Sequence, residues 1–432
     1  MALYLPPNPR RFQFQFSMEQ PKKKMCLSTC AEVHLDEGLV AEILLRLPAK
    51  SVLRFRSVCK EWLRIIDGQQ FLAAHARRRP LEVLLYTRTK VLRADGRQAG
   101  FDVELDAVAV SARRPVARFP ASLDGGYNQY CSLLASCDGL LLLRQNRQQY
   151  LICNPATRQW SDLPRLSPDA EAEQQHGAVV QSESGFYFHV PSGEYRLLCY
   201  ISYGSTGRVP YYCVFSAGAD EPRRLSVKAT DIEQTIIFMA ADQATRARIR
   251  SFKNLKPPAV LHGHLHWLEH MEAGLTDQMV AFDTAAETFR RMPPPPVTCK
   301  EHSQLLVADG SLMASEPGHL FVDLWVLEGY GGGADTEGTW ERRHRVEVPW
   351  PIVERPLLVA GGDEGDVVLG HNPGVVAYSL SCRTVTQVVG VDASSRGGAR
   401  LLPSHHVFRE SLVRHGFFDA RPHPGLPSFW FS

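Results

Sequence analysis

The chain has 432 residues, 44% hydrophobic and 22% charged, and its 48 Lys and Arg against 46 Asp and Glu leave a formal charge of +2. That composition excludes wholesale disorder, and the near-neutral balance gives no electrostatic case for nucleic acid, which needs a basic face. No run approaches the ~18 apolar residues of a membrane helix, and ten cysteines with no C-x-x-C pair and no secretory signal point to reduced thiols in a soluble protein of the cytoplasm and/or nucleus.

Residues 1–33 read as a disordered leader rich in Pro, Arg and Gln. The alternating Phe12, Phe14 and Phe16 are too short and isolated for a strand. Lys22-Lys23-Lys24 is weighed as an import signal, but a solvated tail is the favoured reading.

Residues 34–80 are helical by pattern. Asp36 is placed as an N-cap with Glu37 in the first turn. Leu39, Val40, Ile43, Leu44 and Leu47 recur at helical spacing, and Pro48 ends the run. Val52, Leu53, Phe55, Val58, Cys59, Trp62, Leu63, Ile65 and Ile66 then sweep about half a helix circumference, against the stripe of about 100° that a surface helix buries. A break near Ser57 redistributes these faces without removing them. Asp67-Gly68 punctuates, and Phe71, Leu72 and His75 form one last turn. A unit of about 40 residues rarely builds its own core, so its surplus apolar faces need burial against the rest of this chain or against another protein.

The strings Glu42-Ile43-Leu44, Arg46-Leu47-Pro48, Lys50-Ser51, Arg54-Phe55-Arg56, Val58-Cys59-Lys60 and Trp62 closely resemble the F-box, departing from it at Leu35-Asp36, where many F-boxes have Leu-Pro. The resemblance implies a three-helix module that docks a Skp-type adaptor and, through it, a cullin–RING ubiquitin ligase. Carried over, the adaptor contacts are Leu35, Ile43, Leu44, Leu47, Pro48, Leu53, Val58, Cys59 and Trp62, a set that also contains part of the module's own core.

From Leu81 onward, short apolar runs such as LEVLLYT, GLLLLR, YLICN, YRLLCYIS and LFVDLWVL alternate with Gly, Asp, Asn, Pro and Ser. They repeat. Cys137–Pro164 and His262–Pro293 share a turn slot (Asn154-Pro155-Ala156-Thr157 and Asp283-Thr284-Ala285-Ala286), an aromatic slot (Trp160 and Phe289) and a closing Pro. Looser copies cover Leu305–Pro349, Pro356–Val389 and Glu194–Leu225. The fold expected is mixed: the small helical unit, then a mainly β domain over 81–418 built as a kelch-like propeller of about six blades. Leu401–Phe418 latches the ring and 419–432 is a tail. Ser136 to Leu140, Asn154 to Thr157, Leu265-His266-Trp267-Leu268 and Phe282-Asp283 resemble the F-box-associated domain of plant F-box proteins over most of 81–400. That resemblance implies a propeller that binds substrates.

His262, His264, His266 and His270 would share a face on an unbroken strand, but Gly263 sits where the repeat places a hairpin turn, so blade packing is preferred to a metal site. Cys131 and Cys137 read as small buried hydrophobes. There is no G-x-S-x-G elbow, phosphate loop or H-E-x-x-H helix. Long polar loops are expected at Ala112–Asn128, Asp169–Ser184, Gly329–Gly338 and Ala393–Gly398, and Pro293–Pro296 as a spacer. The expected function is a non-catalytic substrate receptor of a Skp–cullin–F-box ligase, with no cofactor, no metal and a target the sequence does not name. The alternatives are a propeller enzyme with the helical unit as docking handle, and an adaptor-bound protein that delivers no target.

Overall fold

The computed structural model describes residues 36–80, 82–92, 98–109, 112–122, 132–144, 149–165, 180–202, 211–225, 257–269, 278–298, 303–331, 338–348, 352, 357–360, 366–371, 374–390, 400–425 and 430–431. The leader, Phe12, Phe14, Phe16, Cys131, His270 and Ala393–Gly398 lie outside this set.

Four helices come first: α1 (Glu37–Leu45), α2 (Ala49–Phe55), α3 (Lys60–Asp67) and α4 (Gln69–Arg78). Asp36 caps α1, its carboxylate accepting from Gly38 N at 3.0 Å. Pro48 separates α1 from α2. The break expected near Ser57 is present, and Cys59 caps α3, Sγ accepting from Trp62 N at 3.5 Å. The expected last turn is a ten-residue helix, so the unit has four helices rather than three.

The described strands form a six-bladed ring. Blade 1 joins β24 (Arg400–Phe408), β1 (Glu82–Leu92), β2 (Gln98–Ala109), β3 (Ala112–Ser122) and β25 (Trp430–Phe431). Blade 2 is β4 (Ser132–Cys137), β5 (Leu140–Arg144), β6 (Tyr150–Asn154) and β7 (Gln159–Asp162). Blade 3 is β8 (Val180–His189), β9 (Glu194–Ser202), β10 (Tyr211–Ser216) and β11 (Arg223–Arg224). Blade 4 is β12 (Ala259–Leu261), β13 (His264–Glu269), β14 (Gln278–Asp283) and β15 (Thr288–Met292). Blade 5 is β16 (Gln304–Ala308), β17 (Ser311–Pro317), β18 (Phe321–Glu328) and β19 (Thr339–Glu347). Blade 6 is β20 (Leu357–Ala360), β21 (Asp366–His371), β22 (Gly374–Ser379) and β23 (Thr384–Gly390). Within every blade the neighbouring strands are antiparallel.

The repeat is set by local turn chemistry. Asp138-Gly139, His262-Gly263 and Asp309-Gly310 all have positive φ at both residues, as a two-residue hairpin with the right twist requires. One turn later the same slot recurs. Asn154 Oδ1 accepts from Ala156 N and Thr157 N at 3.0 and 3.3 Å, and Asp283 Oδ1 from Ala285 N and Ala286 N at 2.8 and 2.9 Å. Each turn then closes on a residue of positive φ, Arg158 and Glu287.

Blades bury both faces against their neighbours, which is why β5 and β6 read as unbroken apolar runs rather than alternating ones. Leu140, Tyr150, Phe186 and Phe215 pack between blades 2 and 3; Tyr187, Leu265 and Phe282 between 3 and 4; Met279, Leu312 and Leu327 between 4 and 5; Leu324, Val367 and Leu369 between 5 and 6. A polar clamp adds to the blade 3–4 seam. Arg196 and Glu287 pair at 2.7 Å, Tyr187 Oη donates to Glu287 at 3.0 Å, and Arg223 joins them.

β24 pairs with β1, so residues 400–408 supply the strand that closes the ring, in the segment expected to latch it. Three expectations need correction, the first being that the loop expected at Asp169–Ser184 gives way to β8 from Val180 onward. Ala112–Asn128 is not all loop, because its first eleven residues form β3 in register with β2. The tail expected over 419–432 is attached to the ring at its described ends: Pro422 bridges Ser161, and Trp430 and Phe431 pair with Arg118 and Ala117.

Candidate functional site

The helical unit has two kinds of apolar surface. Val40, Leu44, Leu45, Ala49, Val52, Ile65, Ile66, Phe71 and Leu72 form its core. Leu39 and Ile43 sit one helical turn apart on the other side of α1 and are 51% and 45% exposed; Val58 is 57% exposed and Leu63 37%. Four of the nine large apolar side chains exposed among the described residues therefore belong to this one small unit.

The unit also docks on the ring. After β24 the chain forms a strap, residues 409–415. Leu412 is buried within the helical core, with Val413 and Ala156 against it. Glu410 accepts from Ala49 N at 2.9 Å, which caps a helix that has no side-chain cap of its own. Arg414 reaches Asp67 at 2.8 Å, and Asp67 also pairs with Arg56 at 3.0 Å. On the ring side, Asn154 Nδ2 donates to Ser411 O at 3.1 Å. The strap crosses Gly139 so closely that a Cβ there would come within 2.6 Å of Arg409 O, so the glycine is needed for space as well as for its positive φ. The helical unit thus sits on the face of the ring where the blade 2 turns Asp138-Gly139 and Asn154 to Arg158 emerge.

The corner between α1 and α2 is held tightly. His75 Nε2 lies 2.8 Å from Leu47 O, and Arg79 donates to Leu45 O at 3.0 Å. Burial pushes the His75 imidazole below its usual pKa. At the solvent side Arg78 forks onto Glu42, at 2.8 and 3.0 Å, and holds its carboxyl below the usual range.

The structure separates the residues expected at the adaptor surface. Ile43, Pro48, Val58 and Cys59 are exposed. Leu47, Leu53 and Trp62 are half-buried at the edge of the core, with Trp62 edge-on to Phe55 at 5.4 Å between ring centroids. Leu44 is fully buried and belongs to the module's core. Leu35 lies outside the described residues. Leu39 and Leu63 were legible as apolar helix positions but were not carried into the contact set, and their exposure adds them.

Of the described histidines of blade 4, His264 and His266 are buried and His262 is exposed. His262 is in the turn that Gly263 was expected to make. His266 is fully buried, with Nδ1 3.1 Å from Ala259 O and Nε2 2.8 Å from Tyr330 Oη, and burial lowers its pKa to about 4. Among the described residues no three His, Cys, Asp or Glu side chains are grouped to hold a metal ion. Cys137 is partly buried against the core between blades 2 and 3, where burial first and then Asp138 push its thiol up, away from thiolate chemistry. Among the described residues no helix is long and apolar enough to cross a membrane.

Comparison with known proteins agrees with this layout. A model of the F-box domain matches residues 34–73, and a model of the F-box associated beta propeller domain matches residues 101–322, about half of the chain. The Arabidopsis thaliana F-box protein At5g49610 is 24% identical over 87% of this chain and 96% of that protein. Arabidopsis thaliana F-box protein CPR1 is 24% identical over 85% of this chain and 87% of its own length. Among solved structures the Dos1 propeller aligns with 75% of this chain and 84% of that one, at 11% identity and a TM-score of 0.37, too distant to carry an argument. Helices, six-bladed ring and both family matches converge: this chain belongs to the plant-type F-box proteins that carry an F-box-associated β-propeller.

Proposed function

We propose that this chain is the substrate receptor of a Skp–cullin–F-box ubiquitin ligase, acting in the cytoplasm and/or nucleus. The observation that carries the reading is that Leu39, Ile43, Val58 and Leu63 stay exposed on a module whose core is already complete and already docked on its own ring. Burying such a side chain from full exposure is worth about 1.5–3 kcal/mol, of which these half-buried residues can still gain a part, and a Skp-type adaptor is the occupant that F-box membership supports. Ile43, Leu47, Pro48, Leu53, Val58, Cys59 and Trp62 form the docking face, with Leu39 and Leu63 beside them. The ring captures a target protein and holds its lysines near a loaded conjugating enzyme. The receptor contributes effective concentration and no bond chemistry.

Purified adaptor mixed with the full chain tests the reading. Wild-type chain is expected to co-elute with adaptor; Ile43→Asp, Val58→Asp and Trp62→Ala are expected to lose it while unfolding cooperatively. No complex, or a complex indifferent to all three, overturns the proposal. For the target, proximity labelling with and without proteasome inhibition is expected to reveal a neighbour that accumulates under inhibition, and a neighbour set unchanged by inhibition overturns the degradative half of the reading.

A further inference from the structure

Among the described residues 36–80 none supplies a side-chain cap for α2, yet α2 begins at the corner that presents Leu47 and Pro48. That corner is tied from three directions. His75 fixes Leu47 O, Arg79 fixes Leu45 O, and the carboxylate of Glu410, 361 residues away in sequence, fixes Ala49 N. Leu412, two residues on, is 2% exposed and sits in the same core as Leu44, Val52 and Ile66. The strap is itself held to the ring through Asn154 and Gly139, and to α3 through Arg414 and Asp67. An unmade N–H at a buried helix start leaves a donor without water or partner, which is costly enough to fray the first turn.

We propose that Glu410 and Leu412 are positioning residues for adaptor docking: the post-propeller strap is part of the F-box fold and sets the α1–α2 corner. The F-box of this chain is then not an autonomous handle on a flexible tether. It is held at a fixed place on the ring, so the direction in which the ring faces is fixed with respect to whatever the corner grips. The docking half of this inference rests on the adaptor reading above; the folding half does not.

Hydrogen exchange on the full chain tests the folding half. In Glu410→Leu and in Leu412→Ala, amides of Ala49–Phe55 are expected to exchange at least tenfold faster, while β13–β18 keep wild-type protection. Glu410→Gln, which retains an acceptor oxygen, is expected to restore α2 protection. Unchanged α2 protection in both disruptive variants overturns the proposal, and so does an equal loss in every blade. Titration with purified adaptor tests the docking half: Glu410→Leu is expected to weaken the complex at least fivefold and Glu410→Gln to recover it. A frayed α2 with wild-type affinity overturns the positioning role. A wild-type chain that binds no adaptor removes the proposed function, while the exchange result still decides whether the strap belongs to the F-box fold.

Discussion

The helical unit and the ring use apolar residues in opposite ways. In the ring, β6 is buried along its whole length and β5 from Leu140 to Leu143, and Tyr150, Phe215 and Phe282 are fully enclosed by neighbouring blades. In the helical unit, Leu44 is enclosed while Ile43, one residue earlier, stands in solvent. A ring can satisfy every blade from within, because closure gives each sheet two neighbours. A four-helix unit of this size has fewer neighbours, and Leu39, Ile43, Val58 and Leu63 are left facing outward, which is the pattern the docking proposal rests on.

The sharpest way to break this comparison is to exchange the two kinds of residue. Phe282→Ala in the blade 3–4 seam is expected to cost about 3–5 kcal/mol, read as a lower midpoint in urea. Leu44→Ala is expected to cost about 2–5 kcal/mol, while Ile43→Ala is expected to stay within about 0.5 kcal/mol of wild type. Equal losses at 43 and 44 would erase the distinction between core and docking face. Acid should act on the ring through His266. Its folded pKa of about 4 lies below the usual 6.5, so as pH falls the unfolded chain takes up a proton first. Its contribution is therefore full above pH 6.5 and is lost as pH falls toward 4, amounting to up to about 3 kcal/mol. His266→Gln is expected to flatten part of the slope of urea midpoint against pH between 6.5 and 4, and an unchanged slope would refute the assignment. The smallest effect is expected at Arg64, whose pair with Glu37 at 2.7 Å is mostly in solvent: Arg64→Ala should leave the midpoint unmoved within error.

How much could be read from the sequence follows from the range over which each feature is determined. Turns such as Asn154 to Arg158 and His262-Gly263 are decided by adjacent residues, so the blade repeat and its number were visible. β3 was hidden. Its Arg113, Arg114 and Pro115 look like loop residues, but the strand lies near the outside of blade 1, with only the two-residue β25 beyond it, and Pro115 falls where the register with β2 shifts. A near-edge position tolerates a residue that donates no ladder hydrogen bond. At the candidate site, apolar spacing revealed which residues of α1 and α3 had to be buried, but could not sort Ile43 from Leu44. That choice depends on which side α4 and the strap cover. Glu410 and Leu412 gave no signal, because a lone Glu-Ser-Leu after a strand acquires meaning only when the ring brings it beneath Ala49.

The order of synthesis gives the ring closure a consequence. The helices of residues 37–78 precede β24 and Leu412 in the chain, so a ribosome releases the helices well before them. Until they do, blade 1 lacks its innermost strand and the helical core lacks one of its members. A product stalled before Glu410 therefore lacks two groups that hold the α1–α2 corner, and on the positioning proposal above it grips an adaptor less well than a chain that has them.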